Sequence, residues 1–267
     1  MHVEKARGFV FDLDGTLVQR GRDGIAVLPG AVEVLAAVRA SGRPLAIFTN
    51  ASHVAPAVIA AELRGAGLEI SADEVLTPIC STMSYLRARL GGRPVMTFAT
   101  SATRERLTEE GGISLVEGEG AAAVFVAHPE AFDFSELERG ARAISGGARL
   151  LTASFVAAYS GADGPIYSRG AMVTAALAKA TGARPVVTGK PSRAAVAETV
   201  ARMGVPSAEL VVVGDDVVLD IGLGHLGGSH TILVRTGISG SVDLDRLPAS
   251  RRPDEAIAGV AELLGRV

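Results

Sequence analysis

The chain has 267 residues, room for one large domain or two smaller ones, and at 48% hydrophobic and 21% charged it can bury a substantial core. A net charge of −3 with no basic block argues against nucleic acid as a partner, and no run reaches the roughly 18 apolar residues of a membrane span. Cys80 is the only cysteine, which excludes an intramolecular disulfide framework, and Met1-His2-Val3-Glu4-Lys5 lacks the apolar stretch of a signal peptide, so a cytoplasmic location is expected.

Apolar strand-like runs alternate with helical patterns, which predicts an α/β protein with a helix-covered parallel sheet. The first strand covers 8–13. Pro29-Gly30 opens a helix that places Val32, Leu35, Ala36 and Val38 roughly on one face. A strand over 45–49, a helix over 54–63 and a short strand at 75–76 follow. Cys80 begins a further helix and is read as packed. A second group then takes over, with strands at 95–99 and 122–127. Ser135 with Glu138 reads as a capping box for a helix to Ile144. A strand at 150–153 precedes a helix over 171–180 that stops at Gly182. The first pattern is then expected to resume, with a strand at 186–187, a helix over 192–203, strands at 210–213 and 232–234, and a final helix over 260–264. Two domains are expected, one from 1–78 with 183–267 and one from 79–182.

The candidate chemistry lies at strand ends. Asp12 and Asp14 close the first apolar run in Phe11-Asp12-Leu13-Asp14-Gly15-Thr16-Leu17, and Gly15 allows a turn that brings both carboxylates into one crevice. Thr49-Asn50 ends the second strand. Lys190, in Gly189-Lys190-Pro191-Ser192, follows a strand and precedes a helix. Asp215, Asp216 and Asp220 follow the run Leu210-Val211-Val212-Val213. In open parallel sheets these ends share one ligand-binding edge. Close carboxylates repel unless a cation or shared proton intervenes. Hard oxygen ligands suit Mg²⁺, and an aspartate nucleophile, a carboxyl acid, a metal and an ammonium together suit phosphoryl transfer. The histidines His2, His53, His128, His225 and His230 lack metal-ligand spacing and are read as structural or exposed, with His53 near the phosphate loop.

The four motifs, in this order and each after an expected strand, resemble motifs one to four of the haloacid dehalogenase (HAD) superfamily. Leu28-Pro29-Gly30-Ala31 and Thr231-Ile232-Leu233-Val234-Arg235-Thr236-Gly237 resemble its NagD-like class IIA branch. The resemblance implies a Rossmann-like HAD core with a C2-type α/β cap inserted between Asn50 and Lys190. It makes Asp12 the nucleophile and Asp14 the general acid and base. Asp12, the main-chain carbonyl of Asp14, Asp215 and Asp220 would hold Mg²⁺. Thr49, Asn50, Lys190 and the main chain around Gly15 and Ala51 would hold phosphate. The implied activity is hydrolysis of small phosphomonoesters through an aspartyl phosphate, with a small phosphorylated metabolite as partner and a cap that could supply a homodimer surface.

The chain also departs from the branch. Ala51 stands where many members carry a second Asn, and Ser154-Phe155-Val156 where many carry Asn-x-Asp. That segment, with Tyr159 and Asp163-Gly164, resembles the phospholysine, phosphohistidine and pyrophosphate phosphatases, and Arg169, where those often have Pro, is a candidate substrate contact. Two alternatives stay open: a phosphotransferase, and a non-catalytic phospho-ligand binder on the same fold. A phosphorylated receiver, which also gathers Asp, Thr and Lys at a sheet edge, needs only about half this length and a mid-chain acceptor.

Overall fold

The structure is a computed structural model that describes residues 3–21, 24–161 and 164–267. In chain order it runs β1 (Gly8–Phe11), β2 (Val18–Gly21), β3 (Gly24–Val27), α1 (Ala31–Ala40), β4 (Leu45–Phe48), α2 (Pro56–Gly65) and β5 (Val75–Leu76). Then come α3 (Pro78–Leu90), β6 (Val95–Phe98), α4 (Ser101–Glu109), β7 (Ala123–Val126), α5 (Phe134–Ser145), β8 (Arg149–Thr152), β9 (Ala158–Gly161), β10 (Gly164–Tyr167), α6 (Arg169–Thr181) and β11 (Val186–Val187). The chain closes with α7 (Arg193–Met203), β12 (Leu210–Gly214), α8 (Asp220–Gly227), β13 (His230–Val234) and β14 (Glu255–Ile257).

Two parallel sheets organise these elements. The larger has six strands in the order β14-β13-β12-β1-β4-β5, so β1 is paired on both sides. Strand residues point alternately to opposite faces. Phe9 and Phe11 therefore join one apolar cluster with Val34, Leu35, Ile59 and Leu63 of α1 and α2. Val10, Ala46, Phe48 and Val212 join another, with Ala195 of α7 and Leu223 of α8. Burial on both faces explains the unbroken apolar runs. Each fully buried Phe contributes roughly 2–3 kcal/mol of transfer free energy.

The smaller sheet, β11-β8-β7-β6, follows the same rule. Val95, Phe125 and Leu151 pack with α3 and α4 side chains on one face. Met96, Phe98, Val124 and Leu150 pack with Ile144, Val173 and Leu177 on the other. Two antiparallel hairpins, β2-β3 and β9-β10, stand apart from both sheets.

Several elements differ from the sequence reading. Strand β11, expected to resume the first pattern, pairs with β8 in the smaller sheet, through Val186 with Leu151 and Val187 with Thr152. In α1 the buried positions are Ala31, Val34, Leu35 and Val38, while Val32 is 45% exposed and Ala36 is also exposed. The stripe follows i, i+3, i+4, i+7 from Ala31, and Val32 and Ala36 fall beside it. Helix α5 begins at Phe134 under Asp133, whose Oδ1 accepts from the Glu136 N–H at 2.7 Å and the Ser135 hydroxyl at 2.6 Å. Ser135 therefore is not the cap, and Glu138 instead faces Arg142 at 3.9 Å. The expected final helix is a short 3₁₀ turn over Val260–Leu263. Cys80 lies buried in α3 beside the Thr77 hydroxyl. His2 and Asp163 lie outside the described residues. No helix among the described residues is long and apolar enough to cross a membrane.

Candidate active site

The C-terminal ends of β1, β4 and β12 carry the acidic and hydroxyl groups. Asp12 follows β1, Thr49 follows β4 and Asp215 follows β12, so adjacent parallel strands deliver all three to one edge. Asp220 arrives from the first residue of α8. Asp12, Asp215 and Asp220 each place a carboxylate oxygen within 4.8 Å of the others, the one such cluster among the described residues.

Lys190 reaches the cluster from elsewhere. Its strand, β11, belongs to the smaller sheet, so it does not share the edge that its spacing in the chain suggests. Asn50 brings the two lobes together. Its side-chain oxygen accepts from the Lys190 N–H at 2.9 Å, and its amide nitrogen donates to the Lys190 carbonyl at 3.0 Å. The Lys190 ammonium then donates to Asp12 Oδ1 and Asp220 Oδ1, both at 2.6 Å. Asn50 is thus a clamp on the Lys190 backbone.

The electrostatics follow from burial. Lys190, Asp215 and Asp220 are 3%, 6% and 1% exposed. Burial opposes the Lys190 charge, but Asp12 and Asp220 outweigh it and hold the ammonium protonated. Burial raises the Asp215 carboxyl to about 7, and the Asp12 charge pushes the same way against the Ile238 N–H and Lys190. Asp220 is likewise pushed well above the usual carboxylate value, first by burial and then by Asp12. One ammonium cannot balance three packed carboxylates, and a divalent cation with a preference for hard oxygen ligands relieves the repulsion. This donor set fits such an ion.

Asp14 stands apart from the cluster. Arg20 Nε of β2 donates to its Oδ1 at 2.8 Å, and the Arg20 Nη1 reaches Glu62 at 3.2 Å. Burial raises the Asp14 carboxyl above its ordinary value, while Arg20 lowers it and Asp12 raises it. A carboxyl so placed can exchange a proton with a group bound over Asp12.

The segment after β13 supports the Asp215 carboxylate. Ile238 N–H donates to Asp215 Oδ2 at 2.7 Å, and the Thr236 hydroxyl donates to the Gly15 carbonyl at 2.5 Å. A Cβ on Gly237 would collide with the Asp215 carboxylate, and Gly15, at φ +85°, would put one 2.5 Å from Asp215 Oδ2. The sequence reading missed this support; the Thr236-Gly237 turn after an apolar strand was its only local signal. Asp216 caps the next turn by accepting from the Val218 and Leu219 N–H groups at 2.7 and 3.1 Å.

These groups line a crevice of about 820 Å³ that also includes Gly15, Thr49, Asn50, Ala51 and His53. Its other wall comes from His128, Ser154, Tyr159 and Ser168 of the smaller lobe. Arg169 is not part of the lining. It is exposed, and its guanidinium donates to the Glu130 carbonyl at 3.3 Å.

Two family profiles match this chain, one for haloacid dehalogenase-like hydrolases over residues 9–113 and one for HAD-hydrolase-like proteins over 187–263. The chain belongs to the haloacid dehalogenase-like hydrolases, and within them to the NagD-like phosphatases. It is 28% identical to the ribonucleotide monophosphatase NagD of Escherichia coli (strain K12), over 96% of this chain and 98% of that one. It is 26% identical to a dihydroxyacetone phosphatase of Corynebacterium glutamicum (strain R), over 96% and 90%. The glycerol phosphate phosphatase of Mycobacterium tuberculosis in complex with magnesium superposes with a TM-score of 0.85 and 27% identity, over 97% of this chain and 77% of that one. The inserted lobe fits the cap of this fold.

Proposed function

We propose that this chain is a Mg²⁺-dependent phosphatase of small phosphomonoesters in which Asp12 is the nucleophile. The observation that carries the reading is the meeting of Asp12, Lys190, Asp215 and Asp220 at one point, with Asp14 beside them. Residues 1–78 and 183–267 form the catalytic core, and residues 79–182 form the cap, whose sheet β11 completes.

In this mechanism an Asp12 carboxylate oxygen attacks phosphorus and the bond to the leaving oxygen breaks. Asp14 donates its proton to that oxygen, so an alcohol departs and Asp12 becomes an acyl phosphate. Asp14 then takes a proton from water, whose oxygen attacks phosphorus; the phosphorus bond to the Asp12 oxygen breaks, inorganic phosphate is released and the Asp12 carboxylate returns. Lys190 and the Thr49 hydroxyl hold phosphoryl oxygens, and the clamp from Asn50 fixes where the Lys190 backbone stands. The main chain at Gly15 and Ala51 completes the phosphate cup. Bound at Asp12, the Asp14 carbonyl, Asp215 and Asp220, a Mg²⁺ ion supplies positive charge for the transferring group. The cap excludes bulk water and large macromolecules, which supports small substrates. The relatives named above carry phosphatase names of the same kind.

The experiment is phosphate release from small phosphomonoesters with Mg²⁺ and with EDTA, for the wild type and Asp12→Asn. Release that needs the metal and vanishes in the variant is expected. Normal turnover by Asp12→Asn would sink the covalent mechanism. Transfer of phosphate to added alcohols in place of water would favour the phosphotransferase reading.

A further inference from the structure

Packing fixes Lys190, Asp215 and Asp220, but the Asp14 side chain is half-exposed at the crevice. A carboxyl on so open a side chain samples several rotamers, and proton transfer to a bound ester needs one of them. Something other than burial must hold it.

The hairpin β2-β3 supplies the holder. The Gly15 N–H donates to the Val18 carbonyl at 2.7 Å, which turns the chain back and lays the start of β2 beside Asp14. Val18 and Arg20 share one face of β2. Val18 packs in the apolar cluster with Ile59 and Leu63 of α2, so Arg20 is carried toward the same helix and meets Glu62 there. Its guanidinium is a planar fork. Nε takes Asp14 Oδ1 at 2.8 Å and Nη1 takes Glu62 Oε2 at 3.2 Å. Among the described residues no donor bonds Asp14 Oδ2, which leaves that oxygen for proton exchange. Those two carboxylates are also the only ion pairs of Arg20 among the described residues. The neighbouring His53 offers it no anion, and its ring packs on that of His128 in the cap at 4.6 Å between centroids. Half-exposed ion pairs contribute little to stability. What these two supply is geometry: α2 fixes Glu62, Glu62 orients the fork, and the fork fixes Asp14.

We propose that Arg20, oriented by Glu62, is a positioning residue that holds Asp14 for its proton transfers. This role rests on the phosphatase reading above, in which Asp14 is the acid and base, and adds the groups that keep it in place.

A double-mutant cycle reads whether Arg20 acts through Asp14. The probes are p-nitrophenyl phosphate and whichever of glycerol 3-phosphate, glucose 6-phosphate and ribose 5-phosphate is hydrolysed fastest with Mg²⁺. Arg20→Ala is expected to lower kcat/KM on that alkyl ester by about tenfold, inside the range that a misplaced catalytic group costs. In the Asp14→Asn background the same change should cost less than about twofold, because no proton-transferring group is left to place. On p-nitrophenyl phosphate, whose leaving group needs no acid in the step that kcat/KM reads, Arg20→Ala should cost less than about threefold. Glu62→Gln, which keeps Arg20 but loosens it, should cost about threefold on the alkyl ester and nothing further in the Arg20→Ala background. Equal losses in both Asp14 backgrounds, equal losses on the alkyl and nitrophenyl esters, or no loss at all overturns the role. So does hydrolysis of p-nitrophenyl phosphate with no alkyl ester turned over, which leaves Asp14 no leaving oxygen to protonate. In all these cases turnover of p-nitrophenyl phosphate leaves the phosphatase reading standing. No metal-dependent turnover of any of these esters by the wild type removes that reading and this role together.

Discussion

The six-stranded and four-stranded sheets share one construction: parallel strands, apolar on both faces, with helices on each side. They differ at their C-terminal ends. The larger sheet ends in Asp12, Thr49 and Asp215, while β7 and β8 of the smaller end in Ala127-His128 and Ala153-Ser154. The same scaffold thus presents charge on one side of the crevice and neutral hydrogen-bonding groups on the other. The smaller sheet adds one charged group to the first side, Lys190 beyond β11.

Three substitutions test that contrast and a fourth tests the fold behind it, in falling order of effect. Asp12→Asn should lower turnover of every ester by about 10⁴-fold or more, because the proposed nucleophile is lost; steady-state phosphate release measures it. Asp14→Asn should cost about 10²–10⁴-fold on alkyl phosphates, whose leaving oxygen needs a proton. In the first, phosphoryl-transfer step the same variant should lose far less on p-nitrophenyl phosphate, whose phenolate leaves unaided; a rapid-mixing burst of nitrophenolate reads that step apart from the later hydrolysis, which still needs Asp14 as base. Equal losses in the first step on both esters would remove Asp14 from the acid role.

Gly237→Ala forces a methyl against the Asp215 carboxylate. The Mg²⁺ concentration for half-maximal activity should rise by about 10–100-fold, the cost of disturbing a ligand's support. A Ser154→Ala change that raised it equally would break the division between the two walls.

The smallest effect lies far from both walls. The Asp254 carboxylate accepts from the Thr231 N–H and hydroxyl at 2.8 and 2.7 Å. Burial would raise this carboxyl, but the two bonds from Thr231 outweigh it and hold it below the usual range. Its contribution to stability is therefore full above the unfolded carboxylate range near pH 4 and is lost as pH falls through the folded value. Thermal melts of Asp254→Asn should show a Tm a few degrees lower at pH 7, with the gap to wild type narrowing as pH falls below about 4.

Legibility in the sequence followed burial. Strands β1, β4, β7 and β12 carry continuous apolar runs because both faces are covered, and those runs also locate Asp12, Thr49 and Asp215. The hairpins β2-β3 and β9-β10 escaped the reading because they join neither sheet and show little apolar continuity; β3 alternates between exposed and half-buried positions. Arg20 and Tyr159 entered the crevice on those hairpins. Pairing partners were also out of reach. Nothing in Val186-Val187 distinguishes a strand beside β8 from one beside β12, since two β-branched residues suit either neighbour. The meeting of His53 and His128, 75 positions apart, depends on how the lobes close and leaves no periodic trace.

The placement of β11 also sets where this molecule can be cut. A shortened core that kept only 1–78 and 183–267 would leave Val186 and Val187 with no strand to pair against. Thr188, whose carbonyl accepts from Ser81 at 2.6 Å and whose hydroxyl donates to the Thr152 carbonyl at 3.1 Å, would lose both moorings. Two residues later stands the ammonium that bonds Asp12 and Asp220. A graft of a foreign lid onto this core must therefore bring its own partner for that two-residue strand, or the ammonium loses the address that its neighbours supply.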